Sequence, residues 1–331
     1  MEERLVTIII PVYNGASVLG DSVGDVFAQD YPAVELVAVN DGSRDGSLEV
    51  LEGLREKAPS NVTMKVIDKA NGGICSARNA GLDAATGDLI AFMDQDDRIP
   101  RDCVSSLVNA MSHEDEAVIG GTIDHHVASG KRSRRDMDPG AKWSMYRNTA
   151  PWGRLFRKDI IDAHGIRFEQ TKISEDFYFN FLYLSYCTAG RVKIVPQSGY
   201  EWTIRESSES HSNMSRIDKD RDVTAILDKL LESMKPIGDG SALDAVLFEY
   251  LMIKHIVWYL LFVSKGASRA DVTSVYESCM HWLASSFPSY RKNPCLKPGR
   301  PEGEDKKIRF IVRTAVRLDR MHLFLPFLVI R

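Results

Sequence analysis

Three carboxylates stand within four residues at Asp94-Gln95-Asp96-Asp97, directly after the apolar run Leu89-Ile90-Ala91-Phe92-Met93. Acids packed this closely repel one another unless a cation or a proton relieves them. The spacing alone leaves two readings open. Hard oxygen donors at the end of a buried segment suit a divalent cation such as Mg2+ or Mn2+, which commonly bridges to substrate phosphates. Alternatively, Asp96 or Asp97 caps a helix that begins near Pro100. A second acidic pair, Glu175-Asp176, opens a strongly apolar stretch, where it could act as a general base or complement a helix dipole.

The elements that must position these groups follow from the hydrophobic pattern. Residues 5–12 read as a central strand ending at Tyr13-Asn14-Gly15, and a helix is expected over 17–29. A second strand, 34–39, ends at Asn40-Asp41-Gly42, followed by a helix to Leu54 and a strand over 62–67. Asn71-Gly72-Gly73 then leads into a helix over 76–85 and the acidic strand over 89–93. Strand and helix in alternation imply an α/β fold with a doubly wound, mostly parallel sheet. Such sheets place ligands at the carboxyl ends of their strands, so Tyr13, Asp41 and Asp94 to Asp97 should share one mouth.

Further along, helix is expected over 102–111, strand over 117–123 and a polar loop over 127–147 containing Lys131-Arg132-Ser133-Arg134-Arg135. A helix should span 177–186 and a late strand 192–196. Helical patterns then dominate over 220–234, 241–263 and 267–286, with a Pro- and Gly-rich linker over 293–305. In the tail, 306–331, Arg309, Arg313, Arg317 and Arg320 line one helix face ahead of the apolar run 323–330. That pattern fits a helix lying on an anionic membrane surface, or a last helix packed on the core.

Composition excludes several classes. The 331 residues are 44% hydrophobic and 27% charged with a net charge of -4, ordinary for a globular chain and giving no expectation of nucleic acid as partner. Five scattered cysteines without CxxC spacing argue for a reducing compartment rather than disulfides or zinc. The N-terminus has no basic-then-apolar leader, and no apolar run reaches the roughly 18 residues of a spanning helix, so a cytoplasmic site is expected. No GxGxxG turn follows the first strand, which argues against a dinucleotide-dependent oxidoreductase. A sugar-nucleotide pyrophosphorylase would need a glycine-rich, basic first loop, also absent.

Five motifs occur in order: Pro11-Val12-Tyr13-Asn14, Asn40-Asp41-Gly42-Ser43, Ala77-Arg78-Asn79-Ala80-Gly81, Gly87-Asp88 through Asp97, and Ser174-Glu175-Asp176. Together they resemble family 2 glycosyltransferases over residues 4–215. The resemblance implies a GT-A fold, with 1–216 as the transferase domain (1–100 nucleotide-binding, 101–216 acceptor-binding) and 217–331 as a helical extension with a basic amphipathic tail. It further implies inverting transfer from a UDP-sugar to a hydroxyl of a glycan or lipid-linked saccharide. The enzyme would be a hexosyl- or N-acetylhexosaminyltransferase of cell-surface polysaccharide synthesis, peripheral at the inner face of the membrane.

By the same resemblance, Pro11, Tyr13 and Asp41 would line the base pocket, and Arg78 would contact nucleobase or phosphate, or else be a solvated helix arginine. Asp94 and Gln95 would face the nucleotide-sugar, and Asp96 with Asp94 would hold Mn2+ or Mg2+, with His211 as an additional ligand. Asp176 would be the catalytic base, kept ionised by its helix dipole, and Glu175 would orient the acceptor hydroxyl. The family usually carries an acid where Asn40 stands. Trp152 is open to two roles, a stacking surface for a sugar or core packing. The alternative function is a catalytically degenerate nucleotide-sugar binding module, which would be expected to lack Asp94, Asp96 or Asp176; all three are present.

Overall fold

The computed structural model describes residues 4–205 and 222–330. Strands β1 (Val6–Val12), β2 (Val34–Asp41), β3 (Val62–Lys69) and β4 (Leu89–Phe92) alternate with helices α1 (Leu19–Phe27), α2 (Ser47–Arg55) and α3 (Gly73–Ala84). β1 and β2 are buried along their whole length, which only an interior strand covered on both faces can be. The period of two sorts their side chains between two cores. Ile9, Val37, Val39 and Phe92 join one, with α3; Val6, Ile8, Ile10, Leu36 and Ala38 join the other, with α1 and α2.

Three further strands, β5 (Ala117–Gly120), β8 (Arg154–Arg157) and β9 (Val192–Val195), complete a seven-stranded sheet in the order β3-β2-β1-β4-β8-β5-β9. Only β8 runs antiparallel to its neighbours. The winding reverses between β1 and β4, so their carboxyl ends part into a crevice with Tyr13 on one side and Asp94 on the other. A smaller sheet of β10 (Glu201–Ile204), β6 (Thr122–His126) and β7 (Lys131–Arg135) abuts the acidic loop through a bridge between Glu201 and Arg98.

Three expectations are corrected. The strand expected over 117–123 is really β5 and β6, in different sheets. A Cβ on Gly120 would sit 2.3 Å from Ser198 Cβ and one on Gly121 2.1 Å from Pro196 O, so this glycine pair lets the chain cross beneath another segment. The polar stretch 127–147 is no loop: it holds β7 and a short helix, α5 (Ser144–Arg147). Its basic residues populate an edge strand, where charge discourages pairing with other chains. The sequence 293–305 is likewise ordered, with Asn293 and Glu304 buried.

The remaining helices are α4 (Cys103–Asn109), α6 (Lys158–Ala163), α7 (Glu175–Tyr186), α8 (Val223–Ser233), α9 (Ala245–Val263), α10 (Arg269–Ser286), α11 (Lys306–Arg320) and α12 (Phe324–Ile330). α9 is long and apolar enough to cross a membrane by length and composition. Here Met252, Ile253 and Ile256 instead join the core of α3 and α7. That core is continuous from Ile9 and Phe92 through Phe177 and Phe181 to Val312 and Phe324, so sheet and helical region bury their apolar faces against each other. The tail does two things at once. Val312, Ala315, Val316, Phe324 and Leu328 are buried, while Phe310 is 60% and Ile330 86% exposed, with Met321, Leu323 and Phe327 exposed between them. All five cysteines are free and buried.

Candidate active site

The acidic loop is a tight turn: the Asp97 N–H donates to Asp94 O at 3.2 Å and the Asp94 N–H to Tyr200 Oη at 3.1 Å. Asp97 points inward and is 1% exposed. It accepts from Tyr200 Oη at 2.6 Å and from the Thr203 N–H at 2.7 Å, which pins the loop to β10. Burial, then the nearby Asp94 charge, holds its proton affinity well above the usual carboxylate range. Asp96 pairs with Arg205 at 2.5 Å. Its pKa is also raised, by burial and then by Asp94, against the opposing pull of Arg205. The capping alternative for Asp96 and Asp97 falls away, because α4 starts at Cys103 with Asp102 at its N-cap.

Arg78 organises the centre. Its Nη2 donates to Asp94 Oδ1 at 2.9 Å and its Nη1 to Asp176 Oδ1 at 2.6 Å. The guanidinium lies 5.1 Å from the Phe168 ring centroid and the residue is 1% exposed, so it is no solvated helix arginine. α3 can lie this close to the sheet because Gly81 faces it: a Cβ there would come within 2.4 Å of Ile9 Cγ2. Arg78 thus joins the end of β4 to the start of α7.

Glu175 and Asp176 occupy the first turn of α7. The expectation that the helix dipole would depress the Asp176 pKa is not met. Burial raises it to about 7, with Glu175 and Asp94 adding to the rise and Arg78 opposing it, although 29% of the side chain remains exposed. A carboxylate that shares a cation with Asp94, and whose proton affinity sits near neutrality, can accept a proton from a hydroxyl brought beside it.

The residues expected at a base pocket lie along the neighbouring strand ends. Tyr13 is 44% exposed, and Pro11 is buried within β1. Gln95 clamps the Tyr13 backbone, accepting from its N–H at 3.0 Å and donating to its C=O at 3.1 Å. A Cβ at Gly15 would lie 2.3 Å from Gln95 Oε1. Asp41, at the end of β2, is buried. Its Oδ1 accepts from Lys69 Nζ at 2.6 Å and the Gly72 N–H at 3.0 Å, and its Oδ2 accepts from the Gly73 N–H at 2.8 Å. Asp41 therefore anchors the start of α3. Asn40 donates to Asp68 Oδ1 at 2.7 Å. His211 lies outside the described residues.

Several site residues were not legible in the sequence. Tyr200, Thr203 and Arg205 hold the acidic loop from more than a hundred positions away, and no local pattern marks them. Arg154, on β8, is 1% exposed and donates Nη2 to Asn148 O, while its Nε and Nη1 have no partner among the described residues. Burial lowers its pKa to about 9, with the charge of Asp176 opposing. Trp152 is buried and stacks on Tyr200, ring centroids 4.7 Å apart at 4°, so of its two open roles the structure assigns core packing. Behind Asp96 a cavity of about 500 Å³ is lined by Asp25, Arg98, His125, Arg132, Glu201 and Arg205; His125 Nδ1 lies 2.7 Å from Glu201.

No three His, Cys, Asp or Glu side chains form a metal-holding cluster among the described residues. Asp94 and Asp96 nevertheless fit a hard divalent cation, as two partly exposed oxygen donors each sharing one oxygen with an arginine. A Mg2+- or Mn2+-type ion typically takes one or two carboxylates and completes its shell with water and substrate phosphate.

The profile described as "Glycosyl transferase family 2" matches residues 7–177, more than half the chain. The glycosyltransferase GlyA of Streptococcus pneumoniae is 26% identical over 273 residues, 77% of this chain but 36% of its own length. The uncharacterized glycosyltransferase EpsJ of Bacillus subtilis is 28% identical over 337 residues, covering 95% of this chain and 86% of EpsJ. Among solved structures, S. aureus TarS 1-349 in complex with UDP-GlcNAc has a TM-score of 0.69 at 18% identity, covering 96% and 92% of the two chains. The mannosyltransferase PcManGT of Pyrobaculum calidifontis, in complex with GDP-Man and Mn2+, scores 0.58 at 16% identity, covering 97% and 89%.

Proposed function

The chain belongs to glycosyl transferase family 2, and from that premise we propose that it transfers a sugar from a UDP-sugar to a hydroxyl of a glycan or lipid-linked saccharide, inverting the anomeric configuration. The observation that carries this reading is the Arg78 bridge, which holds Asp94 and Asp176 on one guanidinium at 2.9 and 2.6 Å. A donor bound against Asp94 would present its anomeric carbon within the reach of Asp176. Asp176 then takes the proton of the acceptor hydroxyl as that oxygen attacks from the face opposite the nucleotide. One displacement needs one base and no covalent intermediate, and such help is typically worth ~10²–10⁴-fold. Glu175, beside it, orients the acceptor hydroxyl.

The donor's base stacks on exposed Tyr13 beside Pro11, and Asp41 Oδ2, with a single partner among the described residues, accepts its ring N–H. Asp94 meets the ribose and diphosphate, with Arg78 as the fixed cation behind it, and Gln95 serves the donor site by holding the Tyr13 loop in place. Asp96 and Asp94 would hold Mn2+ or Mg2+, which supplies charge neutralisation for the departing nucleoside diphosphate. Residues 1–216 carry both substrate sites in this reading, and 217–331 brace them. The solved complex of TarS with UDP-GlcNAc supports a UDP-linked hexose or N-acetylhexosamine, and that of PcManGT with GDP-Man keeps GDP-sugars in the screen.

The exposed apolar and basic face of α11 and α12 supports a peripheral position on an anionic inner leaflet, where acceptors of cell-surface polysaccharide synthesis would be lipid-linked. The decisive experiment incubates the full chain with a panel of UDP- and GDP-sugars, with Mn2+, with Mg2+ and with chelator, and measures nucleotide release. Release from one UDP-sugar, dependent on the ion and abolished in Asp176→Asn with UDP binding retained, is the expected result. Binding without release from any donor would overturn the reading in favour of a degenerate binding module.

A further inference from the structure

One side chain of α9 grips the carboxylate-bearing helix from the far side. His255 Nε2 shares a hydrogen bond of 2.9 Å with Ser174 Oγ. Its ring also packs against Phe177, centroids 4.2 Å apart. The two contacts bracket Glu175-Asp176, one on each side. Ser174 sits at φ 62°, in the left-handed region, where a residue other than glycine persists only if its surroundings hold it there. A serine at a helix N-cap ordinarily turns its hydroxyl onto the first N–H groups of its own helix. Ser174 makes no such bond, and its hydroxyl is engaged by His255 instead.

The imidazole is itself anchored. Ile253 and Ile256 on either side of it are buried in the main core, and the neighbouring Lys254 pairs with buried Glu304 at 2.7 Å. Burial, followed by the charge of Lys254, lowers the ring's pKa to about 4, so the contact keeps one character across the neutral range. Phe177 and His255 belong to stretches some eighty positions apart, and the C-terminal helices reach this turn a second time one residue on, where Tyr178 Oη donates to Ser233 Oγ at 3.2 Å.

We propose that His255 is a positioning residue of the transfer reaction: through Ser174 and Phe177 it fixes the first turn of α7, so that Asp176 meets the acceptor oxygen in its reactive orientation. The inference rests on the reading of Asp176 as the base. Reaction geometry is a steep lever, since a misplacement of about 1 Å can cost on the order of 10²-fold in rate. The C-terminal helices would then act on catalysis directly, through one hydrogen bond and one ring contact.

The test uses full-length His255→Phe, His255→Gln and Ser174→Ala. His255→Phe keeps a ring against Phe177 but loses the bond, and kcat per UDP-binding site should fall about tenfold, with donor KM and UDP affinity unchanged. Ser174→Ala should reproduce that fall, and the double variant should be no worse than either single one. His255→Gln, whose amide can still reach Ser174, should recover most of the loss. A merely structural role would lower the melting temperature and the fraction of UDP-binding protein while leaving kcat per binding site at the wild-type value; that outcome overturns the proposal. The Tyr178 amide, which donates to Ser174 O at 2.9 Å, gives a readout independent of chemistry. Its hydrogen-exchange protection should drop in His255→Phe and Ser174→Ala even if no nucleotide sugar proves to be a donor for the wild type, and unchanged protection refutes the grip.

Discussion

Asp176 carries the most direct prediction available from a single side chain, because its proposed role as base and its titration pull in opposite directions. Its folded pKa is raised from 3.8 to about 7, so the folded protein holds the proton more tightly than the unfolded chain. The associated stability is fully present below the unfolded value and is lost as pH rises through about 7. Activity runs the other way, since a base must be ionised: kcat/KM should fall about tenfold per pH unit below that limb. Arg78 is the cation that opposes the rise. Arg78→Gln should therefore move the acid limb upward, as read from pH–rate profiles of both proteins, and a limb that stays in place would disprove the coupling. The pairing of Arg78 with both acids was not legible in the sequence, which offered it as a nucleobase or phosphate contact or a solvated helix arginine. Burial decided its role, and burial depends on how closely Gly81 lets α3 approach Ile9. Asp97 was illegible for a similar reason: its partners, Tyr200 and Thr203, are over a hundred positions away.

Elements were readable in proportion to how strongly their burial patterns the sequence. β1 and β2 are covered on both faces and announce themselves as unbroken apolar runs. β7 announces nothing, since four of its five residues are Lys or Arg and it needs no apolar face at the edge of a small sheet. The tail was legible as an amphipathic helix, but the pattern could not separate membrane from core. Core packing accounts for one face of α11 and α12, while Phe310, Phe327 and Ile330 project outward. Arg313, Arg317 and Arg320 have no ion-pair partner among the described residues. Deleting 306–331 would thus unmake core packing along with any membrane contact. The cleaner test is Phe327→Ser with Ile330→Ser, or Arg317→Glu with Arg320→Glu, in flotation with vesicles containing anionic lipid. Each pair should weaken binding roughly tenfold or more, the charge reversal more strongly at low salt, with little change in melting temperature. Equal flotation of wild type and variants would exclude the tail as the anchor.

The whole molecule departs from the arrangement that the motifs alone suggest, in which a transferase sheet ends and a helical appendage begins. α7 turns Phe177 and Phe181 into the same core that receives Ile253, Ile256 and Val312, so the sheet's lower face is finished by the C-terminal helices. A fragment ending at residue 216 should accordingly expose that face. It should bind a hydrophobic dye, aggregate, and unfold without a cooperative transition, whereas the full chain should melt in one step. A soluble fragment with a sharp transition would show the two regions to be independent. The doubly wound order was legible because alternating strand and helix admit few topologies. The shared core was not, because apolar helix faces do not specify which surface they will cover.

Gln95 stands between the two aspartates of the acidic motif, yet both ends of its amide are committed to the backbone of Tyr13, and Gly15 leaves the room it needs. In mutational terms the middle position is no neutral spacer. A side chain at 15 would collide with the amide, and a different residue at 95 would release the loop that carries Tyr13. Substitutions at 15 and 95 should therefore be energetically coupled, because either one disturbs the same clamp between the two loops that flank the crevice.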